Sequence, residues 1–333
     1  MITVAGITVR LYFYLSVIPT SFSRRYYMNI EVTRINHGVE TDPSEFVRTV
    51  NEDYYYQLKK ITDKIIQTKN ERPVILLSGP SGSGKTTTAL MIEKILNESG
   101  CKTHTLSMDN YFSPLSKEEK ALAALGKMDL ESPLRIDKDL LNTQIEAISR
   151  CEEVAIPYYD FAESARGESR FSFQRKPGEL VIFEGIHALN PDVITVPDEK
   201  LNKIYVSVRT RVTCGDIILH PSKIRLMRRM IRDRNFRKRS LRETMNMFAS
   251  VEAGENKYIM PYKYRSDYDV DTFMAYELSV YRNALIKELW AMNYVPELSD
   301  VIHVLENLAP IDNSDITPDS LICEFIGNGQ FTY

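Results

Sequence analysis

Apolar residues follow two rhythms along the chain. Uninterrupted runs such as Val74-Ile75-Leu76-Leu77 and Leu180-Val181-Ile182-Phe183 predict strands buried on both faces of a parallel sheet. Apolar residues recurring every three or four positions predict helices with one buried face. The first such helix begins at Asp42-Pro43-Ser44-Glu45, where Asp42 suits the N-cap, Pro43 the first helical position and Glu45 the third. Phe46, Val50, Tyr54, Leu58, Ile61 and Ile65 make its stripe, and Asn70-Glu71-Arg72-Pro73 breaks it. Tyr54-Tyr55-Tyr56 reads as packing surface rather than as a ligand platform. Helices are expected over 87–96 (ended by Gly100), 117–127, from Asp137 onward (core face Leu140, Leu141, Ile145, Ile148), 223–242, 241–251 and 275–290. Strands are expected over 102–108, 154–161, 203–208 and 267–272. A hairpin is expected over 166–176, with Phe171 and Phe173 alternating, and an extended stretch over 258–261. Alternating strands and helices predict an α/β fold, a central mostly parallel sheet flanked by helices, with helical additions at both ends.

The pattern divides the chain into an N-terminal extension (1–27), an N-terminal helical segment (28–70), a central domain (71–295) and a C-terminal extension packed on it (296–333). Residues 2–22 are apolar and aromatic but carry Arg10 in their middle, and Arg24-Arg25 follows them. A spanning segment needs about 20 mostly apolar residues, and a signal peptide puts its positive charge first. The stretch is therefore read as an extension rather than a signal or anchor, with Met28 as a candidate start. The net charge of −3 makes no general case for nucleic acid or an anionic membrane. Four scattered cysteines without a C-x-x-C pair argue against a disulfide framework and a thiolate zinc site, and suit a reducing cytoplasm.

Chemistry enters at Gly79-Pro80-Ser81-Gly82-Ser83-Gly84-Lys85-Thr86, between a strand and a helix, with full G-x-x-x-x-G-K-[ST] spacing. Glycines let backbone N–H groups turn inward onto phosphate oxygens, and the helix offers them its positive end. Gly79, Ser81, Gly82, Ser83, Gly84, Lys85, Thr86 and Thr87 are thus the expected nucleotide-binding set of a P-loop NTPase. Lys85 reaches the β- and γ-phosphates, and the Thr86 hydroxyl suits Mg²⁺. Asp109 falls at the carboxyl end of the 102–108 strand, where it is either a general base or a turn-capping aspartate. Glu184 ends the 179–185 strand, the place of an acid that holds Mg²⁺ or its water. The run Lys223, Arg225, Arg228, Arg229, Arg232, Arg234, Arg237, Lys238, Arg239, Arg242 fits a nucleic-acid patch or an arginine-rich lid over transferring phosphates. Leu226, Met230 and Ile231 give it an apolar side, and the phosphate loop favours the lid. No glycine has an aspartate three positions before it, Asn202-Lys203 and Asn256-Lys257 lack a following aspartate, and no L-S-G-G-Q occurs. GTPase switches and ABC ATPases are thereby excluded. A helicase motor needs more chain, so a small-molecule kinase remains.

Between Arg72 and Leu289 the chain resembles the uridine kinase branch of the phosphoribulokinase/uridine kinase family. The matching residues are Gly79 to Thr86, Asp109-Asn110-Tyr111-Phe112, Pro157-Tyr158-Tyr159-Asp160-Phe161, Phe183-Glu184-Gly185-Ile186 and Arg228-Arg229-Met230-Ile231-Arg232-Asp233, in family order. Asn235-Phe236-Arg237 and Phe325-Ile326-Gly327 resemble a bacterial subgroup. The resemblance implies phosphorylation of a nucleoside 5′-hydroxyl from ATP or GTP with Mg²⁺ held through Thr86 and Glu184. It implies Asp109 as base, with Lys85, Arg229 and Arg232 neutralising the transferred group. Tyr111, Tyr159 and Phe161 would line the acceptor pocket, Glu131 would hold ribose hydroxyls, and Arg237 or Arg239 would be a third lid arginine. The family's base-contacting histidine is replaced by Ser164, so the acceptor could be another nucleoside or a sugar-like alcohol. The alternatives are a sugar-phosphate kinase and an NTP-dependent nucleic-acid-binding protein. The favoured reading expects a small-molecule acceptor, no nucleic acid or membrane partner, and is compatible with a homo-oligomer.

Overall fold

The computed structural model describes residues 28–124, 128–129, 131–161 and 163–331. The expected 1–27 extension lies outside the described residues, as does part of the 117–127 helix. Along the chain run β1 (Asn29–Glu31), α1 (Val32–Thr41), α2 (Pro43–Gln67), β2 (Val74–Ser78), α3 (Lys85–Glu98), β3 (Thr103–Ser107), α4 (Lys117–Ala124), α5 (Lys138–Ser149), β4 (Glu153–Asp160) and β5 (Ala165–Gln174). They continue with β6 (Leu180–Glu184), β7 (Leu201–Ser207), β8 (Arg211–Cys214), β9 (Ile217–Leu219), α6 (Pro221–Arg237), α7 (Leu241–Tyr258), β10 (Tyr268–Asp271), α8 (Glu277–Trp290), α9 (Ser299–Glu306) and α10 (Cys323–Ile326).

Five strands form the central sheet in the order β10-β7-β2-β6-β3, every neighbouring pair parallel. All residues of β2 and β6 are buried, as expected for strands covered on both faces. Side chains alternate between two cores. Ile75, Leu77, Leu180, Ile182, Ile204 and Val206 join one, with α2, α3, α6, α8 and α9. Val74, Leu76, Val181, Phe183, Leu201 and Tyr205 join the other, with α5 and the β4–β5 hairpin. Register puts Leu77 and Ser107 both beside Glu184. The carboxyl ends of β2, β6 and β3 therefore share one edge, where open α/β sheets bind ligands.

Asp42 caps α2 by accepting from the Glu45 N–H at 3.0 Å. Residues 223–242 do not form one helix. Lys238 turns left-handed at φ 55° after α6, and Ser240 opens α7 through a capping box with Glu243. Residues 258–261 are not extended. Ile259 donates back to Glu255 at 2.9 Å, continuing α7 into a 3₁₀ turn over Met260–Arg265. Burial of Ile259 in the second core favours that path over a strand.

Candidate active site

The sharp exit from β2 needs glycine. A Cβ on Gly79 would lie 2.0 Å from the Val206 carbonyl oxygen. Gly82 and Gly84 take φ of 75° and 82°, a region open to glycine. The loop's polar groups are engaged by the protein itself. Ser81 N–H donates to Glu255 at 2.8 Å, Ser81 Oγ meets Arg229 Nη1, and Lys85 Nζ donates to the Pro80 carbonyl at 3.3 Å. Thr86 is half-buried at the start of α3. Thr87, next to it, is held by Glu324 of the C-terminal segment.

Beside the loop, β3 passes into a 3₁₀ turn over Met108–Tyr111, and Ser107 caps it by accepting from the Asp109 N–H at 3.3 Å. The Ser107 hydroxyl also donates to Glu184 Oε1 at 3.0 Å. Glu184 is buried, and that burial together with the Asp109 charge pushes its carboxyl up to about 7. Solvent reaches Asp109, yet protein surrounds it. Burial raises its pKa, while Lys85, Arg237 and Arg135 pull it down. Lys85 acts on both acids. Among the described residues no group of three His, Cys, Asp or Glu side chains forms a metal cage. One hydroxyl (Thr86) and one buried carboxylate (Glu184) suit Mg²⁺, which takes few protein ligands and completes its shell with phosphate and water.

The arginines of α6 divide into two groups. Arg225 pairs with Glu255 at 2.7 Å, and Arg228, fully buried, pairs with Glu277 at 2.7 and 2.9 Å. Arg229 and Arg237 act on acids of the site instead, Arg229 on Glu131 and Arg237 on Asp109. Arg229 touches Ser81, and burial with the Arg232 charge lowers its pKa to about 10. Arg232 donates to buried Asp233 at 3.0 and 3.1 Å, beside Arg237 and Arg239. Of the last two, Arg237 is the one whose charge acts on Asp109.

Glu131 faces the loop from the other side. A Cβ on Gly254 would lie 2.5 Å from its own Cβ. Burial and the Glu255 charge raise its pKa, with Arg229 and Lys85 opposing. Tyr258 donates to Asp129 at 2.8 Å next to it. The aromatic residues correct one expectation. Tyr111 is 0% exposed and donates to Gln144 at 2.7 Å, so it is core rather than pocket wall. Tyr159 is also buried, at 3% exposure, and accepts from Arg135 at 3.2 Å. Phe161 is exposed at 59%, its ring edge-on to Tyr159 and Phe112. Ser164 occupies a left-handed position at φ 47° between β4 and β5.

Four residues escaped the pattern. Arg135 lies over Phe112 at 4.7 Å, and its charge acts on Asp109. His187 is 1% exposed, its ring edge-on to Tyr258, and burial lowers its pKa to about 4. Glu255 and Glu324 grip the loop. His187, three residues after Glu184, carried a positional signal; the other three lie in stretches without chemical punctuation.

A model of the phosphoribulokinase/uridine kinase family matches residues 74–278. The chain belongs to that family. Its members in the curated comparison include a uridine kinase of Staphylococcus aureus (strain JH9), 30% identical over 197 residues, spanning 58% of this chain and 84% of that protein. Among solved structures, a possible uridine kinase from Bacillus stearothermophilus aligns with TM-score 0.40 and 16% identity over 65% of this chain and 97% of its own. D-glycerate 3-kinase from Cryptococcus neoformans aligns with TM-score 0.34 and 13% identity over 78% of this chain and 88% of its own. Membership in the phosphoribulokinase/uridine kinase family makes the chain a P-loop kinase, a phosphotransferase using a nucleotide donor. No helix among the described residues is long and apolar enough to cross a membrane.

Proposed function

We propose that this kinase transfers the γ-phosphoryl of ATP or GTP to the 5′-hydroxyl of a nucleoside. The observation that carries the reading is the position of Asp109 just beyond the end of β3, where its charge and those of Lys85 and Glu184 act on one another. A carboxylate there orients the acceptor hydroxyl and takes its proton. Lys85 and Arg229 neutralise charge on the transferred group, with Arg232 and Arg237 adding positive potential, so the chain acts by positioning and electrostatics. Thr86 and Glu184 would hold Mg²⁺, which when bound neutralises the phosphates. Glu131 and Phe161 serve the acceptor, half-buried Glu131 as a hydrogen-bond acceptor for hydroxyls. The similarity to a uridine kinase supports a nucleoside.

A second reading has a specific observation behind it. Arg135 and Arg237 both act on Asp109, which suits an acceptor that carries its own phosphate. A turnover panel of uridine, cytidine, purine nucleosides and ribulose 5-phosphate separates the two. Turnover confined to the sugar phosphate, and abolished by Arg135→Ala, would replace the nucleoside reading. Under either reading Asp109→Asn removes the base. Turnover is expected to fall at least 100-fold while nucleotide binding persists, and near-normal turnover would refute the assignment.

A further inference from the structure

The C-terminal segment is seated on the phosphate loop. Ser320, Leu321, Ile322, Cys323 and Phe325 are all buried. A Cβ on Gly84 would lie 3.1 Å from both terminal carbons of Leu321. Ser320 shares a 2.6 Å hydrogen bond with Tyr276, and the Phe325 ring covers the Arg228 guanidinium at 5.1 Å. Asn235 donates to the Phe325 carbonyl at 3.3 Å. Between these anchors stands Glu324. Its carboxylate accepts from the Thr87 hydroxyl at 2.6 Å and from the Thr87 N–H at 3.3 Å.

That N–H lies in the first turn of α3, where backbone donors have no partner within the helix. In this loop such donors cradle the phosphates of a nucleotide. A carboxylate and a phosphate oxygen cannot both take the same donors, and their charges repel. The Glu324 charge already reaches Glu184. We propose that Glu324 is a built-in competitor for the phosphate donor, holding a phosphate position of the loop until it is displaced. The inference rests on the reading of the loop as a nucleotide site. Donor binding then selects the fraction of molecules in which the carboxylate has left Thr87, and the apparent affinity is lowered by that fraction.

The test is ADP binding by calorimetry on the full chain at fixed Mg²⁺, comparing wild type, Glu324→Gln, Glu324→Ala and Lys85→Ala. Glu324→Gln keeps the shape and removes the charge; Glu324→Ala removes the acceptor altogether. Both are expected to bind ADP more tightly, Glu324→Ala by about tenfold, the factor one charge-assisted hydrogen bond contributes. KM for the donor should fall with it and KM for the acceptor should stay. Unchanged or weaker ADP binding in both variants, with native circular dichroism, overturns the proposal. If no protein in the series binds ADP, including wild type, the nucleotide reading of the loop fails instead. Loss of binding in Lys85→Ala together with tighter binding in both Glu324 variants supports the proposal.

Discussion

Glu277→Gln strands a charged guanidinium in the core. Arg228 and Glu277 are both 0% exposed and joined by bonds of 2.7 and 2.9 Å. The guanidinium also donates to the Thr272 carbonyl at 2.6 Å and the Gly82 carbonyl at 3.2 Å. Removing one partner of a buried pair costs about 3–5 kcal/mol, because the remaining charge stays desolvated. Glutamine keeps one acceptor, and two carbonyls still face the guanidinium, so the lower end, about 3 kcal/mol, is expected. Arg228→Met strands the carboxylate instead and should cost a similar amount. The double variant Arg228→Met/Glu277→Gln carries no buried charge; with a coupling of about 2 kcal/mol it should cost about 4 kcal/mol, against about 6 kcal/mol if the single effects simply added. Urea unfolding followed by far-UV circular dichroism reads each single loss as a midpoint shift of about 1 M for a slope of about 3 kcal/mol/M. Additive single effects, with coupling below about 0.5 kcal/mol, would refute the pair as a unit. Arg228 also donates to the Gly82 carbonyl, so Arg228→Met should weaken nucleotide binding although Arg229, Arg232 and Arg237 are all retained.

Two further predictions concern the loop and its acid. Gly79→Ala places a methyl group 2.0 Å from the Val206 carbonyl oxygen; β2 and β7 must part, and thermal unfolding should show a loss of about 2–4 kcal/mol together with lost nucleotide binding. The Glu184 carboxyl is raised from 4.5 to about 7, so the folded state favours its protonated form. Its contribution is present in full below about 4.5 and is lost as pH rises through about 7, at most about 3 kcal/mol from the shift. Without nucleotide, Glu184→Gln should therefore match wild-type melting near pH 4.5 and exceed it increasingly toward pH 8; a constant difference across that range would contradict the assignment.

Much of the fold was legible because its signals are local. Strand, loop and helix from Val74 to Glu98 follow from an apolar run and glycine spacing, and α2 from one cap and one stripe. The site was legible only where chemistry sits at a strand end, as with Asp109 and Glu184. The arginine run shows why the rest was not. Arg225 and Arg228 find Glu255 and Glu277 at separations of 30 and 49 residues, and no periodicity reports a partner so far away. Glu324 reaches Thr87 across 237 residues. Tyr111 looks like a pocket residue from its neighbours, yet its hydroxyl is satisfied within the core by Gln144. Residues 258–261 read as extended because Pro261 and the apolar triplet before it imitate a strand, whereas a helical hydrogen bond from Ile259 decides otherwise.

Gly254 and Glu255 are neighbours on α7. The first lies against Glu131, and the second holds the Ser81 N–H of the phosphate loop. One turn of one helix thus joins the surroundings of Glu131 to the phosphate loop. Coupling that passes through it alters both equilibrium affinities by the same factor, whichever substrate arrives first.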